Sequence, residues 1–142
     1  MNLTRHFTLT EMVHTQHRLI DNTPSDAVIE NLRLVCEDLE VIRREFGPLR
    51  ISSGYRCAEL NTAVGGSKKS SHIPGAAADI IPLRSGVGVS HVLWWLKMKS
   101  TLTFDQAIDE YGWLHYSVVP IEKVAQPRFQ TLRYRKGKYT QC

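Results

Sequence analysis

The sequence predicts an α+β fold, with N-terminal helices packed on a mainly antiparallel sheet, on three observations. Helix-start signals and apolar side chains at helical spacing fill the first part of the chain, paired alternating stretches fill the last part, and no repeat, low-complexity run or long linker divides them. Thr8 and Glu11 form a capping box that opens a short helix carrying Leu9, Met12 and Val13. Asn22 to Ser25 mark a turn, in which Thr23 as N-cap, Pro24 at the first helical position and Asp26 at the third start a long helix. Val28, Leu32, Val35, Leu39, Ile42 and Phe46 are spaced alternately by four and three, which puts them on one face. Cys36 lies on that core stripe as a small buried hydrophobe. Gly47-Pro48 ends the helix.

Leu49 to Ser53 alternates apolar and polar residues and reads as a strand leading into Gly54-Tyr55-Arg56. A short helix over Ala58 to Val64 and a flexible loop over Gly65 to Ser71 follow. Ala76 to Ile81 reads as a buried strand carrying a single acid, Asp79, and Val89 to Met98 as another helix. On that helix Trp94 and Trp95 have the spacing of core residues rather than of a substrate-stacking pair. Phe104 to Glu110 and Trp113 to Val119 read as strands separated by Tyr111-Gly112, and Phe129 to Tyr134 as an edge strand. The reading is of one domain over residues 1–142, with about 120–142 forming a basic C-terminal strand and tail.

Composition narrows the function classes. The 142 residues are 42% hydrophobic and 23% charged, enough for one ordinary core. No stretch approaches the ~18 uninterrupted apolar residues of a membrane span. Met1 to His14 lacks the apolar centre of a signal peptide, so the expected product is soluble, made in the cytoplasm and not inserted in a membrane. Cys36, Cys57 and Cys142 form no CxxC pair and no disulfide framework. A net charge of +4 favours approach to a polyanion. Arg128, Arg133, Arg135, Lys136 and Lys138, interleaved with Phe129, Tyr134 and Tyr139, could bind a phosphate-bearing polymer or nucleic acid; the default is a solvated edge strand kept soluble by charge. No nucleic-acid motif accompanies them.

Six histidines are the first candidates for chemistry. His6, His14, His17 and His91 read as surface or cap-proximal. His72 follows the Gly/Ser-rich loop, Asp79 lies seven residues on inside an apolar strand, and His115 sits within Trp113-Leu114-His115-Tyr116-Ser117. A buried, unpaired carboxylate costs several kcal/mol, roughly, so Asp79 needs a cation, a cluster of donors or a metal. Spacing leaves two readings open. One is a zinc site of His72, Asp79 and His115 with one open position, the arrangement of a catalytic zinc; the other is Asp79 paired with an arginine beside two satisfied histidines.

The run Ser70-Ser71-His72-Ile73-Pro74-Gly75-Ala76-Ala77-Ala78-Asp79 resembles the S-x-H-x-x-G-x-A-x-D signature of the zinc D-alanyl-D-alanine carboxypeptidases and related phage endolysins, of hedgehog/DD-peptidase fold. Companions occur in order: Ser53-Gly54-Tyr55-Arg56, then Leu60-Asn61 and Val64-Gly65-Gly66-Ser67, then Trp113 to Ser117. Phe7 to Met12 and Asp21 to Pro24 resemble the opening of the small single-domain phage members. The likeness spans roughly residues 3 to 119. It implies one Zn2+ per chain held by His72, Asp79 and His115, and Arg56 as anchor of a substrate carboxylate or stabiliser of the oxyanion, where a structural salt bridge is the other reading. Ser70 could touch substrate or a ligand, or cap its loop. Trp113, beside His115, is a candidate for lining the site.

The acid/base departs from the family pattern, because Gly112 stands where many members place a Glu or Asp. If Tyr111-Gly112 is a two-residue turn, Glu110 pairs with Trp113 and Ile108 with His115, so Gln106, Ile108, Glu110, Trp113 and His115 share one face and Asp109 takes the other. Glu110 also matches the acid of the family's Gln-x-Ile-x-Glu segment. Glu110 is therefore the chosen catalytic acid/base and Asp109 the second choice; a Tyr in a left-handed turn position speaks for a longer loop. The function these features imply is zinc-dependent hydrolysis of an amide bond in peptidoglycan stem peptides, as a D,D-carboxypeptidase or endopeptidase. The expected setting is a phage endolysin released with a holin's help, or a lysin on the virion among virion proteins. The alternative is a non-catalytic tail or baseplate module that keeps a structural zinc, for which Gly112 is the best support.

Overall fold

The computed structural model describes all 142 residues. Four helices and six strands follow in the order α1 (Leu9–Val13), α2 (Asp26–Phe46), β1 (Leu49–Ser53), α3 (Ala58–Ala63), β2 (Ala77–Pro82), α4 (Val89–Met98), β3 (Gln106–Asp109), β4 (Leu114–Ser117), β5 (Gln130–Arg135) and β6 (Lys138–Gln141). The strands make one sheet ordered β1-β2-β4-β3-β5-β6. Every neighbouring pair is antiparallel except β3 and β5. The class is α+β, as the sequence predicts.

The period of two in the strands separates the faces of the sheet. Ala78 pairs with Tyr116 and Tyr116 with Ala107, and Ile80 pairs with Leu114. These side chains are fully buried and join Leu32, Val35, Leu39 and Ile42 of α2 and Val92, Leu93 and Leu96 of α4 in one core cluster. The helices therefore cover one face. The alternate row, Asp79 opposite His115 and His115 opposite Ile108, belongs to the other face.

Local structure refines several sequence readings. Thr8 and Glu11 cap α1 as expected. Helix α2 starts later than predicted: its N-cap is Ser25, whose hydroxyl accepts from the Val28 amide, whereas Thr23 is engaged by the Asp21 carboxylate. Gly47 ends α2 in a left-handed conformation, φ +87°, with its amide donating to the Arg43 carbonyl. Trp95 packs edge-on to Phe46 at 5.6 Å, but Trp94 is 56% exposed and does not belong to the core. The stretch expected as an edge strand is Gln130–Arg135, and it is internal, because it pairs with β3 on one side and with Lys138–Gln141 on the other. No helix is long and apolar enough to cross a membrane.

Candidate active site

Strands β2 and β4 pair Asp79 directly with His115, and the turn before β2 brings in His72. Asp79 Oδ1 lies 3.2 Å from His72 Nε2 and 3.1 Å from His115 Nδ1. One ligand atom from each residue falls within 4.8 Å of the others, an arrangement that could hold a metal ion. The far side of each imidazole is also engaged. His72 Nδ1 is 2.6 Å from the Gly54 carbonyl oxygen, so Nδ1 carries the proton and donates, leaving the Nε2 lone pair turned toward Asp79. His115 Nε2 is 3.3 Å from Ser71 Oγ.

Backbone constraints fix the loop that carries His72. The Arg56 amide donates to the His72 carbonyl, and Asn31 Nδ2 donates to the Pro74 carbonyl. Gly54 must be glycine: a Cβ there would lie 2.2 Å from the Met12 carbonyl oxygen, which accepts from the Tyr55 amide. Burial pushes the His72 imidazole below its ordinary value, which favours the neutral ligand form. Burial alone would raise the Asp79 carboxyl, but His72 and His115 more than offset that and hold it well below the usual carboxylate range. Two nitrogens and one ionised oxygen, oriented by outer hydrogen bonds, fit a zinc-type ion.

Arg56 lies beside this group at the junction of two grooves. One, of about 620 Å³, is lined by His14, His17, Arg50, Arg56, Asp79 and Trp113. The other, of about 290 Å³, is lined by Arg56, Ser70, His72, Glu110, His115 and Tyr139, among others. Arg56 makes no ion pair, so the salt-bridge reading fails; Nη1 donates to Asn61 Oδ1 at 3.1 Å, while Nε is buried without a partner. Burial lowers the guanidinium pKa against the opposing pull of Asp79. A half-buried guanidinium with an unused donor is a ready receptor for a carboxylate or a carbonyl oxygen. Gly66 makes this possible, because a Cβ there would lie 2.2 Å from Asn61 Oδ1 and 2.8 Å from Arg56 Nη1.

The two acids at the end of β3 separate as the hairpin reading requires. The Glu110 amide donates to the Trp113 carbonyl, and Ile108 pairs with His115. Glu110 lines the cavity that holds His72 and His115. Burial raises its carboxyl; His115 opposes this, and Asp79 and Asp109 add to it. Asp109 is fully buried on the opposite face and bound by Arg133 and Arg135, so it does not reach the site. Trp113 is 39% exposed and lines the larger groove. Ser70 caps its loop by accepting from the His72 amide and also lines the smaller groove.

Sequence reasoning missed Ser71, Tyr139 and the Arg56–Asn61 pair. Asn61 carried a signal, since Leu60-Asn61 is among the quoted family residues; Tyr139 carried none, because its place depends on strand pairing far from the motif. No curated protein matches the chain. A family model described as Peptidase M15 matches residues 5–115, a span that holds Arg56, His72, Asp79, Glu110 and His115. Covering most of the chain, including Arg56, Glu110 and the whole His-Asp-His group, that match shows that the protein belongs to the Peptidase M15 family.

Proposed function

We propose that the protein is a zinc peptidase that cleaves an amide bond in the stem peptides or cross-bridges of bacterial peptidoglycan, with one Zn2+ held by His72, Asp79 and His115. The observation that carries this reading is the convergence of those three ligand atoms, two of whose residues, His72 and His115, line a cleft that Glu110 also lines. A zinc ion in that place supplies Lewis acidity, polarising the scissile carbonyl and lowering the pKa of water toward 7. Glu110 takes a proton from the attacking water and returns it to the amide nitrogen as the C–N bond breaks. Burial raises its carboxyl pKa, the direction that suits a group which must both accept and release that proton. Arg56 donates to the carbonyl oxygen or to a carboxylate of the stem, and Trp113 and Ser70 line the path of the substrate.

Grooves on both sides of Arg56 support an endopeptidase, which must hold residues on each side of the scissile bond, over a carboxypeptidase. Release with a holin or carriage on a virion would each bring such a domain to the wall. Purified protein is expected to contain about one zinc per chain and to lyse outer-membrane-permeabilised cells, and mass analysis of digested peptidoglycan is expected to show new peptide termini. His72→Ala should lose both metal and lysis; full lysis by a metal-free His72→Ala protein overturns the reading. Stoichiometric zinc with no new termini would favour the non-catalytic virion module instead.

A further inference from the structure

We propose that the C-terminal β5–β6 hairpin is a positioning element for Glu110: Arg133 and Arg135 grip Asp109 from behind the sheet and thereby fix the turn that presents Glu110 to the cavity. The inference rests on the acid/base reading of Glu110. Glu110 follows the last residue of β3, where the sheet ladder gives way to the turn, and its two neighbours are both held from the other face. Asp109 Oδ2 lies 3.1 Å from Arg135 Nη2 and 3.5 Å from Arg133 Nε, and its side chain is only 1% exposed. Arg135 Nη1 also donates to the Asp109 carbonyl oxygen, and the Tyr111 amide donates to Asp109 Oδ1 at 2.9 Å. The Arg135 guanidinium then lies 4.9 Å from the centroid of the Tyr111 ring.

The backbone of the turn shows what this grip accomplishes. Tyr111 takes φ +78°, a left-handed conformation that is strained for a bulky residue. Glycine relieves such strain, yet the adjacent Gly112 does not take the positive φ and has open space around the position of a Cβ. Glycine therefore does not dictate this turn. The contacts on Tyr111, from Asp109 to its amide and from Arg135 to its ring, are what hold it. Since side chains 109 and 110 leave a strand in opposite directions, fixing Asp109 behind the sheet aims Glu110 in front. Both arginines lie beyond residue 115, where the Peptidase M15 match ends.

The test compares wild type, Arg133→Ala/Arg135→Ala, Arg135→Lys and Glu110→Gln, all full length. Turnover on soluble muropeptides is normalised to folded, zinc-loaded protein, and deuterium exchange over residues 108–113 is followed in the metal-free protein. The double variant should lose roughly 10- to 100-fold in kcat, the scale of loss from misplacing a catalytic group, with KM changed less than about twofold. Amide exchange in the turn should accelerate about tenfold or more. Arg135→Lys, which keeps the charge, should recover part of kcat; a role confined to stability would leave kcat per folded molecule unchanged. Wild-type kcat and wild-type turn exchange in the double variant, with Glu110→Gln inactive, overturn the clamp and leave the acid/base reading standing. Glu110→Gln at full turnover overturns the acid/base reading, and this inference with it.

Discussion

Arg56 shows how a glycine ten residues away can decide what a charged side chain is free to do. Its guanidinium is half-buried with Nε unpartnered, held through Nη1 by Asn61, and Gly66 leaves free the space that this pair occupies. Gly66 does not take a left-handed backbone, so a larger residue there meets a purely steric conflict. Gly66→Ala would bring a Cβ to 2.2 Å from Asn61 Oδ1 and 2.8 Å from Arg56 Nη1, so Asn61 should move by about an ångström and Arg56 by several tenths. Misplacing the anchor on that scale is expected to lower kcat/KM on muropeptides by about tenfold to a hundredfold. Zinc content should stay at wild type, because the atoms nearest to a Cβ at Gly66 belong to Asn61 and Arg56 rather than to His72, Asp79 or His115. Wild-type kcat/KM in a folded Gly66→Ala protein would show that the site does not depend on this placement of Arg56.

The β3–β4 hairpin was legible because strand geometry is local: a two-residue turn at Tyr111-Gly112 and a period of two sort Glu110 from Asp109. The start of α2 was less so, since Thr23-Pro24 offers the same cap signals as Ser25, and only the capture of Thr23 by Asp21 breaks the tie. The partners of Asp109 could not be read at all, because they sit more than twenty residues on and reach it only through the parallel pairing of β3 with β5. That pairing has a measurable acid signature. Burial alone would raise the Asp109 carboxyl, but hydrogen bonds from Arg135, the Tyr111 amide and Arg133 outweigh it and hold the group below its ordinary value. A carboxyl with a depressed folded-state pKa contributes stability that is present above its unfolded pKa, about 3.9, and is lost as pH falls through the folded value. Asp109→Asn should therefore be less stable than wild type at pH 7 by about 2 kcal/mol, and the gap should shrink below about pH 4 as the wild-type carboxylate is neutralised. Denaturant unfolding at pH 7 and pH 3 measures both numbers, and a gap of equal size at the two pH values would contradict this account.

The segment that matches Peptidase M15 ends at residue 115, but the sheet does not. Strand β4 continues to Ser117, and β5 and β6 complete the side of the sheet beyond β3. Strand β5 covers an otherwise open edge: it pairs residue for residue with Gln106 to Asp109, Phe129 packs edge-on to Phe104 at 5.7 Å, and Thr131 is buried beside Ala107. The outer strand β6 is exposed throughout and carries Lys138, with Lys136 in the turn before it, charges that discourage edge-to-edge pairing with another chain. Removing Phe129 to Cys142 would trade this guarded edge for an unguarded one. The backbone groups of β3 would lose their partners, and the buried Asp109 carboxylate would lose both arginines. A chain of residues 1–128 keeps every proposed ligand, Glu110 and Arg56, yet it should aggregate on expression or melt without a cooperative transition. Light scattering and a circular-dichroism melt would detect either. A soluble, cooperatively melting 1–128 protein that binds one zinc would mean that the matched segment folds by itself and that the hairpin is an addition to a finished domain.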